Sequence, residues 1–290
     1  MEGNKVAKKI KYALRFIPDS IYVKIYYFAR FKRLPNLKNP KTYNEKLNWL
    51  KLNDKNPIYT TIVDKYEAKK YISNIIGEKY IIQTLGVWNH FDDINFDELP
   101  KQFVLKCTHD SGGIVIVKDK DSFDKVKAKK KLESSLETNF YYICREWPYK
   151  NIKPRIIAEK YIEDTKTKEL RDYKFFCFNG EPKIMLIVSG RYDTEGPKLD
   201  YFDMDFNHLD IIQDRPNAKY EIKKPVNFEK MIELSKKLSE NMIHVRVDFY
   251  EVDGNLYLGE ITLYHHGGYA RFSPKKWDKI IGDWLKLPTD

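Results

Sequence analysis

"RVDFYEVDGNLYLGEITLYHHGGY" (residues 246–269) decides the fold and most of the chemistry. Two runs of alternating apolar and polar residues flank Asp253-Gly254, the pattern of a β-hairpin. Each arm carries an acid, Asp248 and Glu260, among residues that otherwise read as core. Their meaning depends on register. A two-residue turn at Asp253-Gly254 would pair Val247 with Glu260 and put that carboxylate among Val245, Val247 and Phe249, at a cost of several kcal/mol unless it takes up a proton. A three-residue loop, with Asn255 left-handed, pairs Val252 with Leu256, Tyr250 with Leu258, Asp248 with Glu260 and Arg246 with Thr262. One face then holds Val245, Val247, Phe249, Tyr257 and Ile261, and the other Arg246, Asp248, Glu260 and Thr262. This register separates core from chemistry, so the three-residue loop is expected. Facing acids repel unless compensated. With Arg246 beside them they suit a hard divalent cation, most simply Mg²⁺, or else form a surface ion-pair cluster.

Composition narrows the rest. The 290 residues include 37 Phe and Tyr, and 42% are hydrophobic, which excludes a disordered chain and supplies a sizeable core. Lys and Arg exceed Asp and Glu by 52 to 42, giving +10, a balance that favours anionic partners. The charge is spread along the chain without an RNA- or DNA-binding signature, so no nucleic acid is expected. Cys107, Cys144 and Cys177 share no CxxC spacing and read as buried thiols of a reducing cytoplasm. Lys24 and Arg30 interrupt "IYVKIYYFARF" (21–31) well short of the roughly 20 apolar residues of a membrane span. A soluble or peripheral protein is expected.

Along the chain, residues 5–34 carry Ile10, Leu14, Ile17, Ile21 and Ile25 at helical spacing, with a basic opposite face and a break at Pro18. The segment fits an anchor on an anionic membrane surface; a helical subdomain packed on its own protein fits better. Thr42 and Glu45 form the signature of a capping box opening a helix over 39–53. A second helix is expected over 57–76, ending at Gly77. Strand-like runs follow at 80–88, 103–109 and 113–118, then a helix over 120–147. Strands are expected at 155–163, at "RDYKFFCFNG" and at "EPKIMLIVSGRY", with a polar turn at 164–169 and another at Asn179-Gly180. A helix over 227–243 precedes the hairpin. Mixed helices and hairpins indicate an α+β fold with mainly antiparallel sheets.

Further pieces suit a nucleotide. Lys106 ends a strand, where an ammonium can reach phosphate, and Ser111-Gly112-Gly113 lets backbone amides approach phosphate oxygens. No Walker A spacing is present, and a strand rather than a helix follows. "IIAEKYIE" ends at a turn whose backbone could read an adenine edge, and Lys174 is a cation on an apolar strand. His265 and His266 are adjacent, cannot chelate one ion in a regular strand, and with Gly267-Gly268 form a turn or a loop near substrate.

In order, these elements resemble the ATP-grasp superfamily, and more narrowly its TupA-like family of bacterial surface-polysaccharide gene clusters. "NPKTYNEKLNWLKL", "DKYEAKKYI", "LKCTHDSGG", "DYKFFCFNGEPK" and "RVDFYEVDG…YLGEITLYHHGG" carry the resemblance over residues 35–285. It implies an ATP-grasp fold of two α+β lobes clamping ATP, with an N-terminal helical segment at 1–78, an N-lobe at 79–157 and a C-lobe at 158–290. It implies phosphate binding by Lys106 and Lys174 under the Ser111-Gly112-Gly113 loop. Adenine would be held by Glu159, Lys160, Tyr161 and Ile162, and ribose by Glu163 or Asp164. Mg²⁺ would sit on Asp248 and Glu260, with Arg246 on the transferred phosphoryl group. The superfamily's usual Asn two residues after the metal Glu is Thr262 here, a weaker ligand.

The function so implied is an ATP- and Mg²⁺-dependent carboxylate–amine ligase of the cytoplasm or the inner face of the membrane. It would join an amino acid to a sugar acid or acidic glycan of a capsule or related polysaccharide. A sugar or glycan kinase and a non-catalytic module docking on a glycan or membrane are the alternatives.

Overall fold

The computed structural model describes residues 11–166, 169–191 and 194–288. The expected helix start at 5–10, including Ile10, residues 167–168 of the polar turn, and Tyr192 lie outside the described residues. In chain order the elements are α1 (Asp19–Phe31), α2 (Tyr43–Asn53), α3 (Ile58–Val63), α4 (Glu67–Ile76), β1 (Thr84–Trp88), β2 (Phe103–Cys107), β3 (Ile114–Val117), α5 (Lys125–Leu136), α6 (Tyr141–Cys144), β4 (Ile156–Lys160), β5 (Asp172–Phe178), β6 (Glu181–Ser189), β7 (Lys198–Asp203), β8 (His208–Leu209), α7 (Phe228–Ser239), β9 (His244–Val252), β10 (Asn255–Thr262) and α8 (Lys276–Trp284).

The chain folds as two compact units. The first comprises residues 11–17, 56–71 and 81–162, and the second 18–55, 72–80 and 163–288. The first holds a four-stranded antiparallel sheet in the order β1-β4-β2-β3, and the second a six-stranded antiparallel sheet in the order β10-β9-β5-β6-β7-β8. The fold is α+β, as expected. In the first unit Phe103, Leu105, Cys107, Ile156 and Ala158 pack with Ala128 and Leu132 of α5. In the second, the odd-numbered side chains Phe175, Val247 and Phe249 are fully buried, and Phe175 meets Phe228 of α7 with ring centres 5.9 Å apart.

Local chemistry explains where helices begin and end. Thr42 Oγ1 accepts from the Glu45 amide while Glu45 Oε2 accepts from the Thr42 amide, the expected capping box. A single helix over 57–76 is not formed. Asp64 Oδ1 accepts from the amides of Tyr66 and Glu67, which ends α3 and starts α4 afresh. The helix expected over 120–147 is likewise two, α5 and α6, because Asn139 Oδ1 takes the Tyr141 amide. The first strand begins only at Thr84. Strands β7 and β8 and helix α8 occupy stretches to which the sequence assigned nothing.

The hairpin itself corrects the expected loop. Asp253 (φ 50°) and Gly254 (φ 77°) form a two-residue turn, and Val252 pairs with Asn255 rather than Leu256. Tyr250 then pairs with Tyr257 and Phe249 with Leu258, so Leu258 and not Tyr257 joins the core face. The register shifts at Gly259, a β-bulge of one residue, and beyond it Asp248 faces Glu260 and Arg246 faces Thr262. The expected acid pairing is therefore present, produced by a bulge instead of a longer loop. Glycine is required there by close approach: a Cβ at position 259 would stand 2.6 Å from Tyr250 Cε2 and 2.9 Å from its Cζ. Gly259→Ala is expected to destabilise the protein by roughly 1–3 kcal/mol through overpacking, measured by chemical denaturation. Tyr250→Leu in the same chain should relieve most of that loss; an unrelieved loss would place the strain elsewhere.

Candidate functional site

The bulge aligns a row across three strands of the second unit. Lys174 on β5 pairs with Asp248 on β9, which pairs with Glu260 on β10. The next row holds Phe176, Arg246 and Thr262. All share the face opposite α7.

Asp248 is almost completely buried and meets two cations. Arg246 donates from Nε to Oδ1 (2.7 Å) and from Nη2 to Oδ2 (2.6 Å), and Lys174 Nζ donates to Oδ2 (2.6 Å). Arg246 Nη2 also reaches Glu260 Oε1 (3.1 Å) and Thr262 Oγ1 (3.0 Å). Burial pushes the Asp248 carboxyl above the usual carboxylate range, opposed by Arg246 and Lys174. Burial works against the Arg246 charge, but Asp248 and Glu260 outweigh it and raise the guanidinium above its ordinary value. Glu260 is the exposed member, its side chain 44% accessible.

Three partners of this row were not assigned from sequence. Asp172, two residues before Lys174 on β5, accepts from Lys174 Nζ (3.0 Å) and from Arg191. The two-residue strand period could have found it. His265 and Gln213 could not have been found that way, since they come from irregular segments. His265 Nδ1 lies 2.8 Å from Arg246 Nη1, which can only donate, so Nδ1 is the acceptor and the ring proton sits on Nε2. The Gln213 amide faces that nitrogen with Nε2 at 2.9 Å and Oε1 at 3.1 Å; with the proton on His265, Oε1 is its acceptor, and it also accepts from the Tyr201 hydroxyl. Burial, with the neighbouring His266 and Arg246 charges, holds His265 well below the usual imidazole range, so it stays neutral. The backbone just after it turns left-handed at His266 (φ 48°), Gly267 (φ 62°) and Gly268 (φ 79°), a conformation free for the glycines and strained only at His266. His266 does not share the role; its ring is half exposed, and its Nδ1 lies 3.7 Å from Asp214.

The first unit presents a separate set. Glu159 is buried on β4, and its oxygens meet Lys106 Nζ (2.5 Å) and Lys69 Nζ (2.6 Å). Burial tends to raise its pKa, but the two ammonium groups hold it below the ordinary value. The Glu159 side chain is thus engaged with lysines, and Lys69 is a further cation that the sequence reading passed over. Lys160 is exposed and donates its amide to Gln83, while Lys118 lies over the Tyr161 ring at 5.7 Å. Ile162 closes the first unit and Glu163 opens the last stretch of the second.

The glycine loop divides in use. Ser111 and Gly112 are exposed, and Gly112 takes φ 135° with open space where a Cβ would be. Gly113 is buried: its amide donates to Asp110, and a Cβ there would stand 2.5 Å from Ser135 Oγ and 2.9 Å from Cys107. Gly112 therefore owes its presence to backbone freedom, and Gly113 to packing.

The donor set on the six-stranded sheet fits a hard divalent cation. Asp248 and Glu260 supply carboxylate oxygens and Thr262 a hydroxyl from one face. Among the described residues no group of three or more His, Cys, Asp or Glu side chains clusters as a ligand set. A Mg²⁺ ion, which takes one or two carboxylates and fills its octahedron with waters and phosphate oxygens, suits a site this sparse.

His265→Ala leaves Arg246 Nη1 buried without its acceptor and is expected to cost about 1–3 kcal/mol. His265→Gln, whose Oε1 can accept the same proton, should recover part of this in urea unfolding. Equal losses in the two variants would exclude the acceptor role.

A family model described as TupA-like ATPgrasp matches residues 45–286. No curated protein matches the chain. Among solved structures, D-alanine–D-alanine ligase from Bacillus anthracis complexed with ATP is 21% identical over 70% of this chain and 54% of that one, with a TM-score of 0.40. The corresponding ligase from Helicobacter pylori is 17% identical over 84% and 69%, TM-score 0.43. N5-carboxyaminoimidazole synthase from Aspergillus clavatus, in complex with ADP and 5-aminoimidazole ribonucleotide, is 14% identical over 71% and 46%, TM-score 0.40. The chain spans about half the length of the first and third of these proteins.

Proposed function

The chain belongs to the TupA-like ATP-grasp family, and from that membership we propose that it is an ATP- and Mg²⁺-dependent carboxylate–amine ligase. The observation that carries the proposal is the cross-strand row of Lys174, Asp248 and Glu260 with Arg246 beside it. It sets two carboxylates and two cations on one sheet face, the complement of a phosphate chain with its metal.

In this reading Lys106 and Lys174 bind phosphate oxygens, each leaving the carboxylate that holds it now. Ser111, Gly112 and Gly113 line the loop over the phosphates. The backbone of Glu159, Lys160, Tyr161 and Ile162 holds adenine, and Glu163 or Asp164 the ribose. Asp248, Glu260 and Thr262 would hold Mg²⁺, which would supply positive charge to offset that of the phosphates. A substrate carboxylate attacks the γ-phosphorus, giving an acyl phosphate and ADP. An amine then displaces phosphate to form the amide. Arg246, fixed by Asp248 and His265, faces the charge that develops on the transferred group. Such chemistry needs alignment and charge neutralisation more than a protein nucleophile. The acceptor we propose is a sugar acid of a bacterial surface polysaccharide and the donor amine an amino acid; the +10 balance supports an acidic partner.

Magnesium-ATP is expected to raise the melting temperature of the wild type but not of Lys106→Ala or Glu260→Ala. Equal shifts in all three would remove these residues from the nucleotide site. A screen of amino acids against uronic acids should release inorganic phosphate and ADP in equal amounts, with a condensed product in mass spectrometry. A phosphoester with no free phosphate would make the enzyme a kinase.

A further inference from the structure

Helix α1 packs with one face and displays another. Tyr22, Val23 and Tyr27 are buried in the second unit. On the opposite side Ile21 (49%), Ile25 (48%) and Phe28 (51%) stand exposed at i, i+4 and i+7, one stripe of the helix surface, and Leu34 (64%) follows just past its end. Lys24 flanks the stripe, and Lys32 caps the helix in a left-handed conformation. Between Pro18 and Lys41 there are six basic residues (Lys24, Arg30, Lys32, Arg33, Lys38, Lys41) and one acid, Asp19, a net +5 against +10 for the whole chain. Arg30 pairs with Asp214 and Arg33 with Glu45, which leaves the exposed Lys24, Lys32, Lys38 and Lys41 in the segment that carries the apolar stripe. The choice between an anchor and a packed helix is a false one for this segment, because the helix has a face for each.

We propose that this face of α1 docks the protein on an anionic phospholipid surface, with Ile21, Ile25, Phe28 and Leu34 entering the interface and the surrounding lysines meeting the headgroups. The charge selects the occupant. A neutral protein groove would complement the apolar stripe but leave the exposed lysines unmatched, and a polyanion such as an acidic glycan would match the charge but leave Ile and Phe in water. An anionic bilayer matches both. The inner α1 contacts already fix the helix, so little ordering is needed on docking, and no membrane span is involved: among the described residues no helix is long and apolar enough to cross a bilayer.

The test is sedimentation of the full chain with vesicles of phosphatidylcholine alone or with 30% phosphatidylglycerol (on the order of a bacterial anionic content), alongside light scattering for oligomeric state. The wild type should bind the anionic vesicles at least tenfold more tightly than the neutral ones. Ile25→Glu with Phe28→Glu, both exposed and so compatible with an unchanged melting temperature, should lose at least tenfold. Lys24→Glu with Lys32→Glu should lose a comparable factor. Retained binding in the Ile25/Phe28 variant would reduce the effect to unspecific charge and overturn the proposal. So would a wild type that ignores vesicles, or one that is a dimer broken by the same pair of substitutions. Because no nucleotide enters the assay, its outcome is independent of the ligase reading.

Discussion

A carboxylate as deeply buried as Asp248 cannot stay ionised in an apolar interior; it must take up a proton or be met by positive charge. Here both oxygens are met, by the Arg246 fork and the Lys174 ammonium. The arrangement of this sheet face follows from that requirement. Arg246 lies two residues away on the same strand face, and Lys174 must sit on the neighbouring strand in the pairing register, as it does. Arg246 in turn has donors to spare, and His265 and Thr262 accept them. The turn at residues 266–268 that follows His265 is left-handed, with strain confined to His266.

Much of this was legible because strand chemistry has a period of two. Alternation placed Arg246 and Asp248 on one face, and the need to separate core from charge required Glu260 and Thr262 to join them. The Asn179-Gly180 turn and the Thr42–Glu45 capping box were readable for the same kind of reason, each being a short local pattern with a mechanism. What sequence could not supply was the device. Parity alone demanded one extra residue between the acids, and a longer loop and a bulge satisfy it equally. The two-residue turn at Asp253-Gly254 makes the choice, and Gly259, pressed against the Tyr250 ring, absorbs the extra residue. That is a cross-strand fact invisible to any window along one strand. Likewise Gln213, His265 and Tyr201 come from three separate segments joined only by the fold, and Asp64 breaks a helix that propensity would have continued.

The two sheets meet the same problem in the same way. In the first unit Glu159 holds Lys106 and Lys69; in the second Asp248 and Asp172 hold Lys174. Every one of these lysines is largely buried, and each would be costly to leave unpaired. A carboxylate counter-ion fixes the ammonium at a set place while keeping the local charge near balance. An anion arriving at such a cation does not have to order a free side chain; it exchanges with an acid already there. The cations are therefore held in place on folding, and in the proposed reaction each would need only to exchange its partner. An acid thus stands beside each of Lys106, Lys174 and Arg246. Such acids hold a lysine at a fixed place inside a sheet, as backbone carbonyls do for the buried Lys46 and Lys51.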